Sequence, residues 1–453
     1  MSDGGTPVVG RNGVAVPVGT QEQQGKDGFR SYEVHQRQRI GESTEKIRPG
    51  SLNSDAYRTD PYPLLAILRE HYPCYRDWQA NAYWLTRYDA VTSVFTDEAN
   101  FERRAKRWYY GLNLPGRNLN DELPVLTAEA NCYDRQLEAV VEGLLNPIGQ
   151  AGSGDLVHDF TARLPLGLLV SLVGVPDDRA EEFCALYWRA QRGTSWQPEL
   201  QEAGRAALVG LAELIEPLLA RREPGNEEDL LSACLEVDPA ATAWDVVVTL
   251  LERDHETLHG SLSNLWYLLL THPDALAGIG NDGRLMKQAY LEALRHSPPV
   301  LSARTFTRHE VERFGRLLPE GALVICSAAA ANRDPRVFAD PDRFIPGRAD
   351  LTQREPRGQY RADGLASGIA FGCGRPSRFP AVPEDRPRSR YALNRDVAVR
   401  ASMLLLAACE DLALAPGAEP SLTALSLGEM HTCWSLPVTC RPGPAPQAEA
   451  SQR

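Results

Sequence analysis

The chain has 453 residues, of which 60 are acidic and 48 are basic, and its net charge is -12. This acidic balance argues against generic binding to nucleic acids or to anionic membranes. The nine cysteines are scattered without a Cys-x-x-Cys pair, which suggests neither a disulfide framework nor a zinc knuckle. The chain has no run of about 18 apolar residues, and its first residues lack the basic start and apolar core of a signal peptide. We therefore expect a cytoplasmic protein that does not enter a membrane.

Composition and the spacing of apolar residues divide the chain into three segments. Residues 1–54 are rich in glycine, glutamine and charge with little periodicity, which predicts a flexible leader. From residue 55 to residue 442, apolar residues recur at helical and strand spacings, which predicts folded structure. We predict that residues 443–453 form a disordered tail. Because the helical patterns are long and the strand patterns short, we expect a mainly α fold with small β-sheets.

The clearest secondary-structure patterns in the sequence are helical. Helical spacing predicts helices over residues 126–146, 155–174, 243–270 and 391–410. The longest pattern, 243–270, is too charged at its middle to span a membrane. Short strand-like pieces lie around residues 304–325.

The central helical pattern contains a metal-type motif. His255, Glu256 and His259 match His-Glu-x-x-His, and Glu252 precedes His255 by three residues. On a helix these four side chains form one stripe, and two histidines one turn apart beside a carboxylate suit zinc and a general base. The sequence names no third ligand. The competing interpretation is a set of buried polar residues bonded to adjacent helices, so we expect no metal.

A glycine-rich loop at residues 364–380, GLASGIAFGCGRPSRFP, is similar to the haem loop of the cytochrome P450 family. That loop reads Phe-Gly-x-Gly, three residues, the cysteine thiolate, one residue and glycine. Phe371, Gly372 and Gly374 match it, but Arg378 stands where the cysteine is expected. An arginine carries a fixed positive charge and has no lone pair for iron.

Other motifs extend the resemblance over residues 55–442, which implies one cytochrome P450-like domain over that range. The Glu-x-x-Arg motif of the family is matched by Glu292 and Arg295. In the family this pair joins a downstream arginine in a structural cluster, for which Arg343 and Arg348 are the candidates here. The resemblance implies the cytochrome P450 fold, with a long central helix and a degenerate haem loop.

Departures from the family pattern gather where haem is expected. The small Ala-Gly pair of the central helix is replaced by Arg253 and Asp254, two charged residues that are costly to place against an apolar ring without partners. Tyr133 and Leu137 stand where the family often has a histidine and an arginine, while Arg304 remains as a propionate-type arginine. We therefore expect no cofactor.

Haem remains the alternative to that expectation. Cys373, in the glycine-rich loop, would have to act as a relocated ligand, although a small buried thiol in a tight turn is the simpler interpretation. Glu256 and Thr257 resemble the acid and alcohol pair that delivers protons in the family. Without iron, we expect them to be structural or to line a vacated pocket.

The resemblance implies an auxiliary role. Members without the cysteine occur in actinobacterial antibiotic pathways as proteins that stabilise and activate a glycosyltransferase, and others recruit partners in peptide assembly lines. We expect a haem-free partner of a biosynthetic enzyme, docking through the arginine-rich surface Arg375–Arg400. Two alternatives stay open, haem-dependent oxygenation and acid-base catalysis in the vacated pocket. The pocket candidates for acid-base catalysis are Arg253, Asp254, Glu256, Thr257 and Arg304.

Overall fold

The computed structural model of the chain describes residues 51–95, 97–111, 114–195, 197–226, 228–253, 255–352, 390–425 and 430–442. Helices dominate these residues, which confirms the predicted mainly α fold. The α-helices are α1 (Asp55–Thr59), α2 (Tyr62–His71), α3 (Tyr88–Phe95), α4 (Leu123–Ala151), α5 (Leu164–Val173), α6 (Asp177–Arg192), α7 (Pro198–Leu219), α8 (Leu230–Val237), α9 (Ala243–Leu251), α10 (His255–Thr271), α11 (Pro273–Ile279), α12 (Gly283–His296), α13 (Ala328–Ala331) and α14 (Arg390–Ala408). Short 3-10 turns lie at Ser51–Asn53, Lys106–Tyr110 and Ala349–Thr352, and a π turn lies at Val157–Thr161.

Small sheets flank the helices. The strands are β1 (Cys74–Asp77), β2 (Ala82–Leu85), β3 (Phe101–Glu102), β4 (Ser153–Asp155), β5 (Ala303–Thr307), β6 (Val311–Arg313), β7 (Arg316–Leu318), β8 (Leu323–Cys326), β9 (Cys409–Leu414), β10 (Leu422–Ala424), β11 (His431–Cys433) and β12 (Pro437–Pro442). The main sheet has the order β1-β2-β8-β5-β3, in which only the β2–β8 pair is parallel among the described strands. Smaller sheets pair β4-β12-β9, β10-β11 and β6-β7.

Local sequence signals start several helices. Thr242 and Asp245 form a reciprocal capping box at the beginning of α9, in which each side chain accepts from the backbone N–H of the other residue. Asp229 caps α8 and Asp282 caps α12 by one-way bonds, in which the aspartate side chain accepts from backbone N–H groups of the first turn. These caps satisfy N–H groups that have no partner within the helix.

The helices share one large apolar core. Helix α4 packs against α5, α8 and α14, and α12 packs against both α10 and α14. Trp266 on α10 and Tyr290 on α12 are among the largest fully buried side chains. None of the described helices is by itself long and apolar enough to span a membrane, although the bent pair Val157–Val173 and Asp177–Arg192 passes that test by length and composition alone.

The central helical pattern is present as two consecutive helices. The sequence predicts one helix over residues 243–270, whereas the structure ends α9 at Leu251 and begins α10 at His255. The break therefore falls within the motif that carries the candidate metal and pocket residues.

A buried charge cluster joins α12 to the loop after α13. Arg295 donates through Nε and Nη2 to the two oxygens of Glu292 at 2.7 and 2.8 Å, and both side chains are fully buried. Arg348 Nη1 lies 3.4 Å from Glu292 Oε1, and the backbone N–H of Ile345 donates to the same oxygen at 2.9 Å. Of the two candidates from the sequence, Arg348 supplies its side chain, while Arg343 supplies only its carbonyl to Arg295 at 3.0 Å.

Replacing Glu292 with Gln should lower the free energy of unfolding by about 3–5 kcal/mol, because two buried guanidinium groups would lose their carboxylate. Denaturant unfolding followed by circular dichroism measures the change. Arg179→Gln, which removes an exposed i,i+3 ion pair with Glu182, serves as the control and should leave the unfolding midpoint unchanged. A Glu292→Gln protein as stable as the control would show that this cluster does not hold the fold together.

Tyr110 packs into a contact between α6 and α7 that requires glycine. Its hydroxyl donates to the carbonyl of Ala190 near the end of α6. A Cβ atom on Gly204 would lie 2.9 Å from Gly193 Cα and 2.9 Å from Tyr110 Cε1. The close approach of these two helices thus fixes the position of the Lys106–Tyr110 turn.

Gly204→Ala should destabilise the protein by about 1–3 kcal/mol, because the added methyl group has no room. Gly143→Ala provides the matched control, since Gly143 also lies within a helix but nothing lies within 4 Å of its Cβ position. The control should gain about 0.5–1 kcal/mol from the higher helix propensity of alanine. Thermal unfolding of both variants tests the contact, and equal gains in stability would refute the crowding at Gly204.

Candidate functional site

At the break between α9 and α10, some backbone carbonyls lack the N–H donors that a continuous helix would provide. Gln191, a buried residue near the end of α6, donates through Nε2 to the carbonyls of Leu250 and Leu251 at 3.3 and 3.1 Å. Lys106 donates through Nζ to the carbonyl of Arg253 and to Gln191 Oε1, both at 2.7 Å. Side chains from two other segments therefore close the break.

Glu252 lies in the break and binds the beginning of the Lys106–Tyr110 turn. Its Oε2 accepts from the backbone N–H of Lys106 at 2.9 Å, and its Oε1 accepts from that of Arg107 at 2.8 Å. A carboxylate at this place satisfies unpaired donors and complements their partial positive charge. Both oxygens of Glu252 are thus engaged with backbone groups, and the sequence motif gave no sign of this contact.

Arg253 is buried and enters a three-residue charge cluster, formed by Arg253, Glu129 of α4 and Arg390 of α14. Its side chain is 4% exposed, and its Nη1 lies 2.6 Å from Glu129 Oε1. Arg390 donates through Nε to Glu129 Oε2 at 2.8 Å and through Nη2 to the carbonyl of Asn120 at 2.9 Å. This arginine cluster connects the break to α4 and α14.

The cluster has two positive charges for one negative charge. Burial alone would raise the pKa of Glu129, but Arg253 and Arg390 outweigh that effect and lower the pKa, so the carboxylate stays ionised. The Nη1 contact of Arg253 lies off the N–H axis, and its Nε and Nη2 meet no acceptor in the part of the chain that the structure describes. With respect to the described residues, one edge of this buried guanidinium is therefore open.

Tyr133 and Leu137, which the sequence places where the family often has a histidine and an arginine, are both buried on α4. Burial, with a further contribution from Glu129, raises the pKa of Tyr133, so its phenol is neutral. Leu137 packs in the apolar core. On this helix, Glu129 is the described residue that supplies charge to the arginine cluster.

His259 lies in apolar surroundings. Its ring meets the edge of Trp434 at a centroid distance of 6.0 Å, and burial lowers its pKa to about 4. Its Nε2 meets no hydrogen-bond partner among the residues that the structure describes. The side chain of His255 lies outside the described residues. Within the residues that are described, no group of three histidine, cysteine or acidic side chains is arranged to hold a metal ion.

The other residues predicted for acid-base catalysis in the pocket have different surroundings. Arg304 on β5 donates through Nη1 to the hydroxyl of Tyr109 at 3.0 Å. Thr257 is buried and Glu256 is half-buried, whereas Asp254 lies outside the described residues. The structure thus pairs Arg253 with Glu129 and pairs Arg304 with an aromatic hydroxyl.

The glycine-rich loop lies outside the described residues, including Phe371, Gly372, Cys373, Gly374 and Arg378. Three arginines of the predicted surface Arg375–Arg400 are described. Arg390 belongs to the buried cluster, Arg395 pairs with Asp396 at 2.9 Å, and Arg400 lies 3.2 and 3.3 Å from Asp134 and Glu138. These three arginines are therefore engaged within the protein.

Sequence reasoning missed Glu129, Gln191, Lys106 and Tyr109. Only Glu129 carried a usable signal, because it is a charged residue one turn before Tyr133 on the buried face of α4. The others are polar residues far from the break in sequence.

Comparison with known proteins identifies the fold. The family model of cytochrome P450 matches residues 283–375. Cytochrome P450 107B1 of Saccharopolyspora erythraea is 34% identical over 53% of this chain, which spans 56% of that relative. The 6-deoxyerythronolide B hydroxylase of the same organism is 29% identical, with 72% of this chain and 86% of the relative covered. The crystal structure of CalO2 superimposes with a TM-score of 0.69 and 26% identity, covering 88% of this chain and 100% of that one.

These comparisons contradict the expectation that the protein has no cofactor. The matching family and relatives are cytochromes P450, which are haem-binding enzymes, so they point to haem. One observation in the described residues fits such a group. The open edge of the Arg253 guanidinium is a donor suited to a carboxylate, and haem carries two propionates.

The order of the helices and the presence of small sheets agree with the sequence matches. The superposition on CalO2, which covers 88% of this chain, agrees with them as well. The chain therefore has the cytochrome P450 fold, and the family model and the relatives support its place in the cytochrome P450 superfamily.

Proposed function

We propose that the protein serves natural-product biosynthesis as an auxiliary protein, which stabilises, activates or recruits another biosynthetic enzyme in the cytoplasm. A glycosyltransferase is the first candidate for that enzyme, by the resemblance described above. The similarity to the 6-deoxyerythronolide B hydroxylase supports a place in secondary metabolism.

The closed break in the central helix carries this proposal. In the family, the corresponding stretch holds a small residue pair and the groups that handle oxygen. Here Glu252 binds the Lys106–Tyr110 turn and the Arg253 carbonyl accepts from Lys106. The Arg253 side chain pairs with Glu129. Residues bound this tightly to two other segments support a scaffold better than a reaction centre that must move protons.

The ion pairs of the three described arginines affect which part of the surface Arg375–Arg400 a partner can bind. Arg390 is withdrawn into the arginine cluster, and Arg395 and Arg400 have acidic neighbours on the same protein. The Arg400 pairs are exposed and therefore weak, so a partner with its own acidic groups can displace them at little cost, whereas the Arg395–Asp396 pair is mostly buried. The surface Arg375–Arg400 thus remains the proposed docking face, without Arg390.

A bound haem is compatible with an auxiliary role, because a partner is stabilised by the surface of the fold rather than by its interior. Haem, when bound, supplies oxygen-activating chemistry. Among the described residues, Arg253 would hold one of its carboxylates through the open guanidinium edge.

A second candidate function is haem-dependent oxygenation of a natural-product intermediate. The observation that favours it is the 6-deoxyerythronolide B hydroxylase, of which this chain covers 86%. The half-buried Glu256 and the buried Thr257 would be its acid and alcohol pair.

Co-expression with a glycosyltransferase encoded beside this protein should raise the soluble yield and the transfer rate of that enzyme, and the two proteins should co-purify. The effect should persist without an electron donor, because no redox step is involved. The matched control replaces this protein with the 6-deoxyerythronolide B hydroxylase, which shares the fold and should give no effect.

The opposite results would overturn the auxiliary role. A transferase whose yield and rate do not respond to this protein would remove its support. Hydroxylation of a pathway intermediate by this protein with an electron donor and dioxygen, and without any partner enzyme, would instead establish the oxygenase.

A further inference from the structure

We infer that Arg253 is the anchor of a ligand-binding site that takes a carboxylate group through the open Nε–Nη2 edge of its guanidinium. The inference does not depend on the auxiliary role, because a scaffold and an enzyme would both use such a site. The carboxylate has two chemical sources, a haem propionate or a separate organic acid.

The open edge is the first observation. The N–H groups of Nε and Nη2 lie in the guanidinium plane along one edge, so together they form a two-pronged donor. Arg253 is 4% exposed, and within the described residues neither nitrogen has an acceptor. A buried donor without an acceptor is unusual in a native protein, and one explanation is a partner that binds from outside the chain.

The charge of the site is the second observation. Glu129 gives one oxygen to Arg253 and the other to Arg390, so it cannot neutralise both. Tyr133 and Cys234 also lie near Arg253, but burial raises the pKa of both groups, that of Cys234 to about 12, and leaves them neutral. Among the described residues, the arginine cluster therefore keeps one uncompensated positive charge, which favours an anion.

A filled example of the same geometry exists in the protein. Arg295 uses its Nε and Nη2 to hold the two oxygens of Glu292 at 2.7 and 2.8 Å. Both arginines are buried, yet of the two only Arg295 meets a carboxylate on this edge within the described part of the chain. The comparison identifies the chemical group that Arg253 lacks.

The test compares each acid with its uncharged counterpart on the purified full chain. The probes are sodium propionate against propionamide, and haemin against haemin dimethyl ester. Each is followed by thermal unfolding at constant ionic strength, because a ligand of the folded state raises the unfolding temperature. Haemin binding is also followed by quenching of tryptophan fluorescence.

In the unmodified protein, at least one acid should bind about tenfold or more tightly than its uncharged counterpart. Preference within the haemin pair assigns the site to a propionate of haem, and preference within the propionate pair assigns it to a separate organic acid. Arg253→Gln should abolish the preference. Arg253→Lys should restore it only in part, because an ammonium lacks the two-pronged edge.

Arg400→Gln is the matched control. It removes an arginine charge that faces Asp134 and Glu138 on the outside of α4, and it should keep the full preference. The inference is overturned if the unmodified protein shows no preference in either pair, or if the preference survives in Arg253→Gln.

Glu129→Gln keeps the inference testable if Arg253→Gln does not fold. This variant removes the carboxylate that competes for Arg253, so the preference for the acids should become stronger than in the unmodified protein. An unchanged or weaker preference would contradict the assignment to Arg253.

Discussion

The carbonyl groups at the break of the central helix impose the constraint on which this structure depends. A buried carbonyl without a donor is costly, so a break in a core helix persists only where other groups supply hydrogen bonds. Gln191 and Lys106 supply them, and Glu252 binds the turn that contains Lys106. The same turn meets α6 and α7 through Tyr110, so one short segment connects the break to both helices.

Two buried charge clusters in the protein differ in their completeness. Around Glu292, the carboxylate meets two arginines and a backbone N–H, and Arg295 donates to three carbonyls as well. Around Glu129, the carboxylate is also shared by two arginines, but one of them keeps an open edge. The cluster around Glu292 has the complete set of partners expected of a cluster that stabilises the fold. The cluster around Glu129 has the unbalanced charge of a site that receives a ligand.

Local chemistry explains what the sequence predicted well. Helical spacing and the Glu-x-x-Arg pair act over three or four residues, so Glu292 and Arg295 could be placed without a structure. The same reasoning left Arg343 and Arg348 undecided, because a loop without periodicity does not fix which side chain turns inward. It also missed Lys106 and Gln191, since each lies at least 59 residues from the carbonyl it binds.

The expectation of no cofactor failed on a related point. It treated Arg253 as an obstacle to an apolar ring, and that cost applies only to a guanidinium that faces the ring without partners. The structure gives Arg253 a carboxylate from α4 and leaves it a free donor edge, while a haem presents two carboxylates as well as a ring. Whether an arginine excludes or attracts a ligand is decided by the part of the ligand that it meets. At this break in the helix, the uncompensated charge favours recognition of the anionic part.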